Sequence, residues 1–393
     1  SLCLPGLGIW RNRAMTLPQG CQTGPSTDDD DCTYDLANRF MPLTSAQGVR
    51  RNGATSGRLH VLQSTLLPRE DLPETLFLRA IPPRRHGDLV PRSVKSGTAA
   101  IRLDPGNILS TDTFFGSFYR AYWQAYTVVR DLAVMVEMAG TARVRIFEET
   151  GHGANLIAED RFRCATPCRF LVDIRSSEVT QWPGEAEIWP SRLFVEVEAD
   201  ETTDVHAIDF ITSDEPKRRV TLSIGLCTFN QEHFFARTLC RVARLAASSD
   251  AICAVHVVNQ GAPFKSDAIR ALLNAPKIQA IEQRNLGGCG GFTRTLVEEL
   301  ANPAPASHHL MMDDDIFLDE RMILRALRFL NYADREIALG AGMFDILRPH
   351  IMYEAGAFLR TDNSIHAYCH DVDLSDPAQL WHFNTPVKTD YNA

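Results

Sequence analysis

The chain has 393 residues, 45% of them hydrophobic and 23% charged, with a formal net charge of −9. That length accommodates two domains, and the composition is that of an ordinary globular protein. The acidic balance disfavours a nucleic-acid partner, no apolar run reaches the length of a membrane span, and the start Ser1-Leu2-Cys3-Leu4-Pro5-Gly6 lacks the basic region and long apolar core of a secretory signal.

Residues 1–60 are rich in Gly, Pro, Ser, Thr and Asp and read as a flexible segment, with the run Asp28-Asp29-Asp30-Asp31 solvated. Residues 61–214 read as an all-β sandwich or barrel domain. Leu132–Met138 and Ala142–Phe147 read as two strands, and Gly140-Thr141 between them as a hairpin turn. Phe170–Ile174, Ala186–Trp189, Leu193–Val197 and Ala207–Ile211 follow as strands. The aromatic cluster Phe114–Trp123 suits core packing first and a sugar-stacking surface second. Cys164 and Cys168 leave three readings open: half of a zinc site, free thiols in a loop, or a local disulfide; no second pair at metal spacing follows. Cys227, Cys240, Cys253 and Cys289 suit reduced thiols in a cytosolic protein.

After the charged linker Asp214–Arg219 the pattern changes, and residues 215–393 read as an α/β domain. Strands are predicted at Val220–Cys227, Ile252–Val258, Ile278–Ile281, in the run ending at Met312, and at Ile337–Met343. Helices are predicted at Glu232–Ala247, Asp267–Asn274, Gly291–Leu300 and Glu320–Leu330. Such alternation gives a mostly parallel sheet with helices on both faces, and its ligands collect at the carboxyl ends of the strands. Thr228-Phe229-Asn230, Asn259-Gln260-Gly261, the loop Asn285-Leu286-Gly287-Gly288-Cys289-Gly290-Gly291-Phe292 and the triplet Asp313-Asp314-Asp315 all fall at or just after those ends.

These residue types suit a nucleotide diphosphate and a divalent cation. Glycines let the backbone approach a ligand, and Arg284 and Asn285 can donate to phosphate or ribose. Asp313 and Asp315 are the candidate metal ligands, for Mn2+ or Mg2+, with Asp314 left for a ribose or sugar hydroxyl. Two apart on an extended chain, they point to the same side. Thr228, Phe229 and Asn230 suit the base end, and Gln260 offers an amide. The bland alternatives are helix caps for the asparagines and a solvated turn for the triplet. The glycine loop matches neither the dinucleotide fingerprint nor a P-loop, which disfavours hydride transfer.

With these motifs in this order, residues 70–393 resemble glycosyltransferase family 2 with its GT-A fold, and within it the galactofuranosyltransferases that polymerise mycobacterial cell-wall galactan. His350-Ile351-Met352-Tyr353-Glu354 resembles the segment of those enzymes that meets the donor and acceptor sugars. The resemblance implies a UDP-galactofuranose donor, a manganese or magnesium ion, and inversion at the anomeric carbon. It also implies a lipid-linked glycan acceptor, peripheral contact with the inner face of the cell membrane, and self-association. By position it makes Thr228, Phe229, Gln260 and Asn285 donor-binding, Asp313 and Asp315 metal ligands, and His350 and Glu354 sugar contacts. Gln231 and Asn259 depart from the Arg and Asp common in the family. The family's tryptophan pair, acidic segment carrying the base and metal-binding His are not found before Ala393. Glu354 is the nearest candidate base, and the expectation is a fragment of a longer enzyme or a shortened, impaired one. A family 2 transferase with another sugar and a non-catalytic carbohydrate-binding protein are the competing readings.

Overall fold

The computed structural model describes residues 2–11, 49–50, 58–65, 72–81, 90–93, 99–174 and 190–387. The acidic run at 28–31 and the strand expected at 186–189 lie outside them. The chain divides into two compact units, one of residues 1–8, 21–217 and 328–393, the other of residues 9–20 and 218–327.

The larger unit is built on a mostly antiparallel ten-stranded sheet. Its spine is a hairpin of two long strands, β1 (Ala133–Thr150) and β2 (Gly153–Asp173), which turns at Gly151-His152. On its other edge β1 pairs with β3 (Arg192–Ala199) along residues 142–149 and with β4 (Thr203–Thr212) along 133–139. The turn expected at Gly140-Thr141 is therefore absent. Gly140 instead marks the point where β1 changes partner. Its φ is +131°, and a Cβ there would lie 2.7 Å from Thr203 Cα. The glycine serves a close approach of the β3–β4 connection, and the sequence signal of a turn is the same residue used for another purpose.

The aromatic cluster lies inside. Phe114, Phe115, Phe118, Tyr119, Tyr122 and Trp123 are each at most 2% exposed, so the sugar-stacking reading fails. Phe118 stacks on Phe210 at 4.8 Å and on Trp123 at 5.3 Å. Phe114 meets Phe344 at 5.6 Å and Phe383 at 5.2 Å, which ties residues after 328 into this core. Arg192 is 1% exposed, yet its guanidinium donates to Asp112 Oδ1 (2.7 Å), Ser117 Oγ (2.7 Å) and Glu149 Oε2 (2.6 Å). A buried charge survives only when its hydrogen-bonding capacity is filled in this way. Cys164 and Cys168 are free and lie within β2, opposite Gly140 and Met138, which removes the loop setting expected for them.

The smaller unit holds a four-stranded, wholly parallel sheet. Its strands are β5 (Leu222–Thr228), β6 (Ile252–Asn259), β7 (Ile278–Glu282) and β8 (His308–Asp313), in the order β7-β6-β5-β8. Three helices connect them: α1 (Glu232–Ser248), α2 (Asp267–Leu273) and α3 (Gly287–Leu300). α1 buries Phe235, Leu239, Val242 and Ala246 at helical spacing. Ser223, Gly225 and Cys227 of β5 face α3, while Leu222, Ile224 and Leu226 are buried on the opposite side. α3 starts at Gly287, four residues before the expected position, because Asn285 Oδ1 accepts from Gly287 N (2.8 Å) and draws the glycine loop into the first turn. Within the segment expected to be flexible, Leu2–Arg11 is a strand, with Trp10 and Arg11 opposite Phe317 and Ile316.

Replacing Gly140 by Val is expected to destabilise the larger unit by about 2 kcal/mol or more, through the positive φ and the Thr203 contact together. Urea denaturation followed by tryptophan fluorescence checks this; an unchanged midpoint contradicts it.

Candidate functional site

The carboxyl ends of the four parallel strands form one row. Thr228 stands opposite Asn259, Asn259 opposite Glu282, and Cys227 opposite Asp313. Glu282 was not singled out by the sequence; it is the last residue of β7, just beyond the apolar run that announces the strand.

Two amides near this row hold the backbone. Asn259, 2% exposed, donates from Nδ2 to Ala262 O (3.0 Å) and to the Glu282 carboxylate (2.9 Å), and its Oδ1 accepts from Gly261 N (3.0 Å). Asn230 takes φ +56°, and its Oδ1 accepts from Ala262 N at 2.9 Å. Both fix the turn after β6. Phe229 is 47% exposed and leaves an apolar ring available to a ligand.

Gln260 ties that turn to the glycine loop. Its Oε1 accepts from Leu286 N (2.9 Å) and Gln283 Nε2 (2.9 Å); its Nε2 donates to Gly287 O (3.0 Å) and Cys227 Sγ (3.2 Å). Gln283 is a second residue that sequence pattern did not reveal, since nothing in its spacing distinguishes it. Above the Cys227 thiol sits Gly291, where a Cβ would overlap Sγ and lie 2.9 Å from Cys227 Cβ. Burial pushes the Cys227 thiol up, against the opposing hydrogen bond from Gln260.

The loop's outer surface is open. Nothing stands within 4 Å of a Cβ built on Gly287 or Gly288. Arg284 and Asn285 are exposed beside them, and Arg284 has no ion-pair partner among the described residues. The Gly287 N–H is spent on Asn285, and the N–H groups that follow it at this helix N-terminus, with the adjacent guanidinium, favour an anion.

The acidic triplet is not one extended stretch. Asp313 ends β8, and Asp314 and Asp315 form a bend before Ile316-Phe317. Thr238 of α1, fully buried, holds this bend by donating to Asp314 O (3.0 Å) and Ile316 O (3.1 Å). Burial pushes the Asp314 carboxyl up; the Thr228 hydroxyl opposes this, and Asp315 and Asp313 add to it. Asp314 Oδ2 is buried without a well-formed hydrogen bond among the described residues. Among those residues no group of three or more His, Cys, Asp or Glu side chains stands ready to hold a cation alone. Clustered carboxylate oxygens fit a hard cation whose remaining ligands come from phosphate and water.

Thr228, Phe229, Asn230, Gln260, Arg284, Asn285, Gly287, Gly288 and the triplet all belong to the smaller unit. His350 and Glu354 belong to the larger one, half-buried on the strand Arg348–Glu354.

Residues 62–184 match the family model Galactofuranosyltransferase 2 N-terminal. Galactofuranosyltransferase GlfT2 of Mycolicibacterium smegmatis is 26% identical over 268 residues, covering 65% of this chain and 40% of that protein. Galactofuranosyltransferase GlfT2 of Mycobacterium tuberculosis is 26% identical over 310 residues, covering 75% and 47%. The chain is thus similar to the GlfT2 galactofuranosyltransferases. It spans less than half the length of these two relatives. Among solved structures, CsCBM6-3 from Clostridium stercorarium in complex with cellobiose aligns at 11% identity over 34% of this chain and 85% of its own, with a TM-score of 0.19.

The far end of α3 is anchored by polar contacts, as its glycine end is. Glu299, 2% exposed, accepts from His256 Nε2 (2.7 Å) and from Ala306 N (2.5 Å). His309 contacts Ser223 Oγ (2.8 Å) and Thr295 Oγ1 (3.0 Å). Burial alone would push the Glu299 carboxyl up, but the His256 and Ala306 hydrogen bonds and the His256 charge hold it below the usual carboxylate range. A depressed folded-state value stabilises above the unfolded value and is lost as pH falls through the folded one.

Glu299→Gln is expected to cost about 3 kcal/mol at neutral pH, and to flatten the acid dependence of stability below about pH 4.5. Thermal melts across pH test this; parallel wild-type and variant profiles contradict it. Gly291→Val is expected to shift α3 off β5, exposing Cys227 to thiol reagents in the folded protein, with labelling followed by mass spectrometry as the measure.

Proposed function

We propose that this chain carries the donor-binding part of a metal-dependent, inverting GT-A glycosyltransferase, one that transfers galactofuranose from UDP-galactofuranose to a lipid-linked galactan or related glycan. One observation carries the reading: Thr228, Asn259 and Asp313 end adjacent parallel strands beside the open N-terminus of α3. That arrangement puts anion-binding N–H groups and cation-binding carboxylates at the same sheet edge, as a nucleotide diphosphate with its cation requires.

In this reading Phe229 and Thr228 meet the base, and Arg284, the Asn285 amide nitrogen and the Gly288 N–H meet ribose and diphosphate, with Gly287 leaving room for their approach. Asp314 accepts from a hydroxyl. Asp313 and Asp315 hold Mn2+ or Mg2+, which when bound supplies Lewis-acid stabilisation to the leaving diphosphate. Arg284 and the α3 N-terminus, fixed before the reaction, stabilise the same developing charge. Gln260 acts by positioning the loop, since its amide is already spent on Leu286, Gln283, Gly287 and Cys227. His350 and Glu354 remain the proposed sugar contacts by resemblance, with Glu354 the proposed acceptor of the attacking hydroxyl's proton. No helix among the described residues is long and apolar enough to cross a membrane, so contact with a lipid-linked acceptor is proposed to be peripheral.

Calorimetric titration with uridine diphosphate tests the donor site. Binding is expected to need Mn2+ or Mg2+ and to weaken at least about tenfold in Asp313→Ala and in Asp315→Ala. A folded wild-type chain that binds no uridine diphosphate with metal present, or variants that bind as well as wild type, would overturn the proposal.

A further inference from the structure

A cleft of about 520 Å³ opens on the larger unit, lined by Thr141, Arg161, Phe162, Arg163, Asp200 and Glu201. Ligand clefts run from ~300 to ~1,000 Å³, so this one has room for a small ligand. None of its residues belongs to the candidate donor site.

Its walls are fixed by the backbone. Asp200 N and Glu201 N both donate to Thr141 O, at 2.9 and 3.3 Å. Thr203 Oγ1 donates to the same carbonyl at 3.2 Å. The β3–β4 connection is thereby laced to β1 beside Gly140, where the sheet changes partner. On the facing strand, Arg163 stands opposite Thr141 and Arg161 opposite Arg143.

The polar side chains are balanced in charge and only partly spent. Arg161 Nε donates to Asp200 Oδ2 at 2.8 Å, with 62% of the Arg161 side chain exposed. Thr141 Oγ1 donates to Glu201. Arg163 is exposed and has no ion-pair partner among the described residues. Exposed pairs of this kind contribute little to stability, so folding does not account for the concentration of charge. Two guanidiniums and two carboxylates cancel, which disfavours phosphate and cation alike. Guanidinium donors beside carboxylate acceptors suit a neutral ligand carrying adjacent hydroxyls.

We propose that this cleft is a binding site for neutral oligosaccharides, separate from the donor site. Arg163 and Arg161 donate to ring and hydroxyl oxygens, and Asp200 and Glu201 accept from hydroxyls. In a protein that extends a glycan, the site retains the chain between transfers; that role, but not the binding, rests on the proposed function.

Saturation-transfer NMR and calorimetry on the whole chain test the site. The probes are galactofuranosyl oligosaccharides and a panel of neutral pentose and hexose oligosaccharides, added with uridine diphosphate and Mn2+ present. At least one probe is expected to bind, and Arg163→Ala and Glu201→Gln to weaken it about tenfold. Both side chains are exposed, so the variants are expected to melt as wild type and to bind uridine diphosphate unchanged. Failure of every probe to bind, or binding unaltered in both variants, overturns the proposal. Loss of uridine diphosphate binding with retained oligosaccharide binding would count against the donor-site reading alone.

Discussion

The contact on which the smaller unit depends is the approach of α3 to the parallel sheet at Gly291. Any side chain there would collide with Cys227, so the helix can come this close only on glycine. Closeness is what lets Gln260 span from the turn after β6 to Gly287 and Leu286 and hold the first turn of α3 in place. At the opposite end, the His256–Glu299 pair and the His309 contacts fix the helix to β6 and β8 through buried polar groups that are mutually satisfied. The loop at its N-terminus is thus held in place from both ends of the helix, and the space outside Gly287 and Gly288 stays open.

That geometry resolves an electrostatic problem. Asp313, Asp314 and Asp315 together repel a diphosphate, and burial together with its acidic neighbours already drives the Asp314 carboxyl upward. Phosphate is tolerated only where positive charge intervenes. Arg284 and the helix N-terminus provide fixed positive character, and in the proposed reading a hard cation between Asp313 and Asp315 would provide the remainder. Thr238 holds the bend of the triplet through backbone carbonyls, which leaves the carboxylates free of that task.

Much of this was legible in the residues. Strand-end motifs follow from alternating apolar runs and helices, and the parallel sheet aligns Thr228, Asn259 and Asp313 as that pattern requires. What escaped were contacts made by side chains of unremarkable spacing: Gln283 and Glu282 gain their roles only when β6 and β7 lie side by side. Gly140 misled because a glycine between two alternating runs has the same appearance whether the chain turns or another strand passes close. The aromatic cluster gave its correct reading because large rings so close together are difficult to leave in water, and all its rings are buried. The alternation argument for the triplet failed because it assumes extended backbone, and Thr238 bends the chain at Asp314.

The most direct measurement is a crystal structure of this chain with uridine diphosphate and Mn2+. The account predicts the metal between Asp313 and Asp315, located by its anomalous signal, and the diphosphate against the α3 N-terminus at Gly288. A metal or diphosphate bound elsewhere, with the α3 N-terminus and the triplet unengaged, would contradict it.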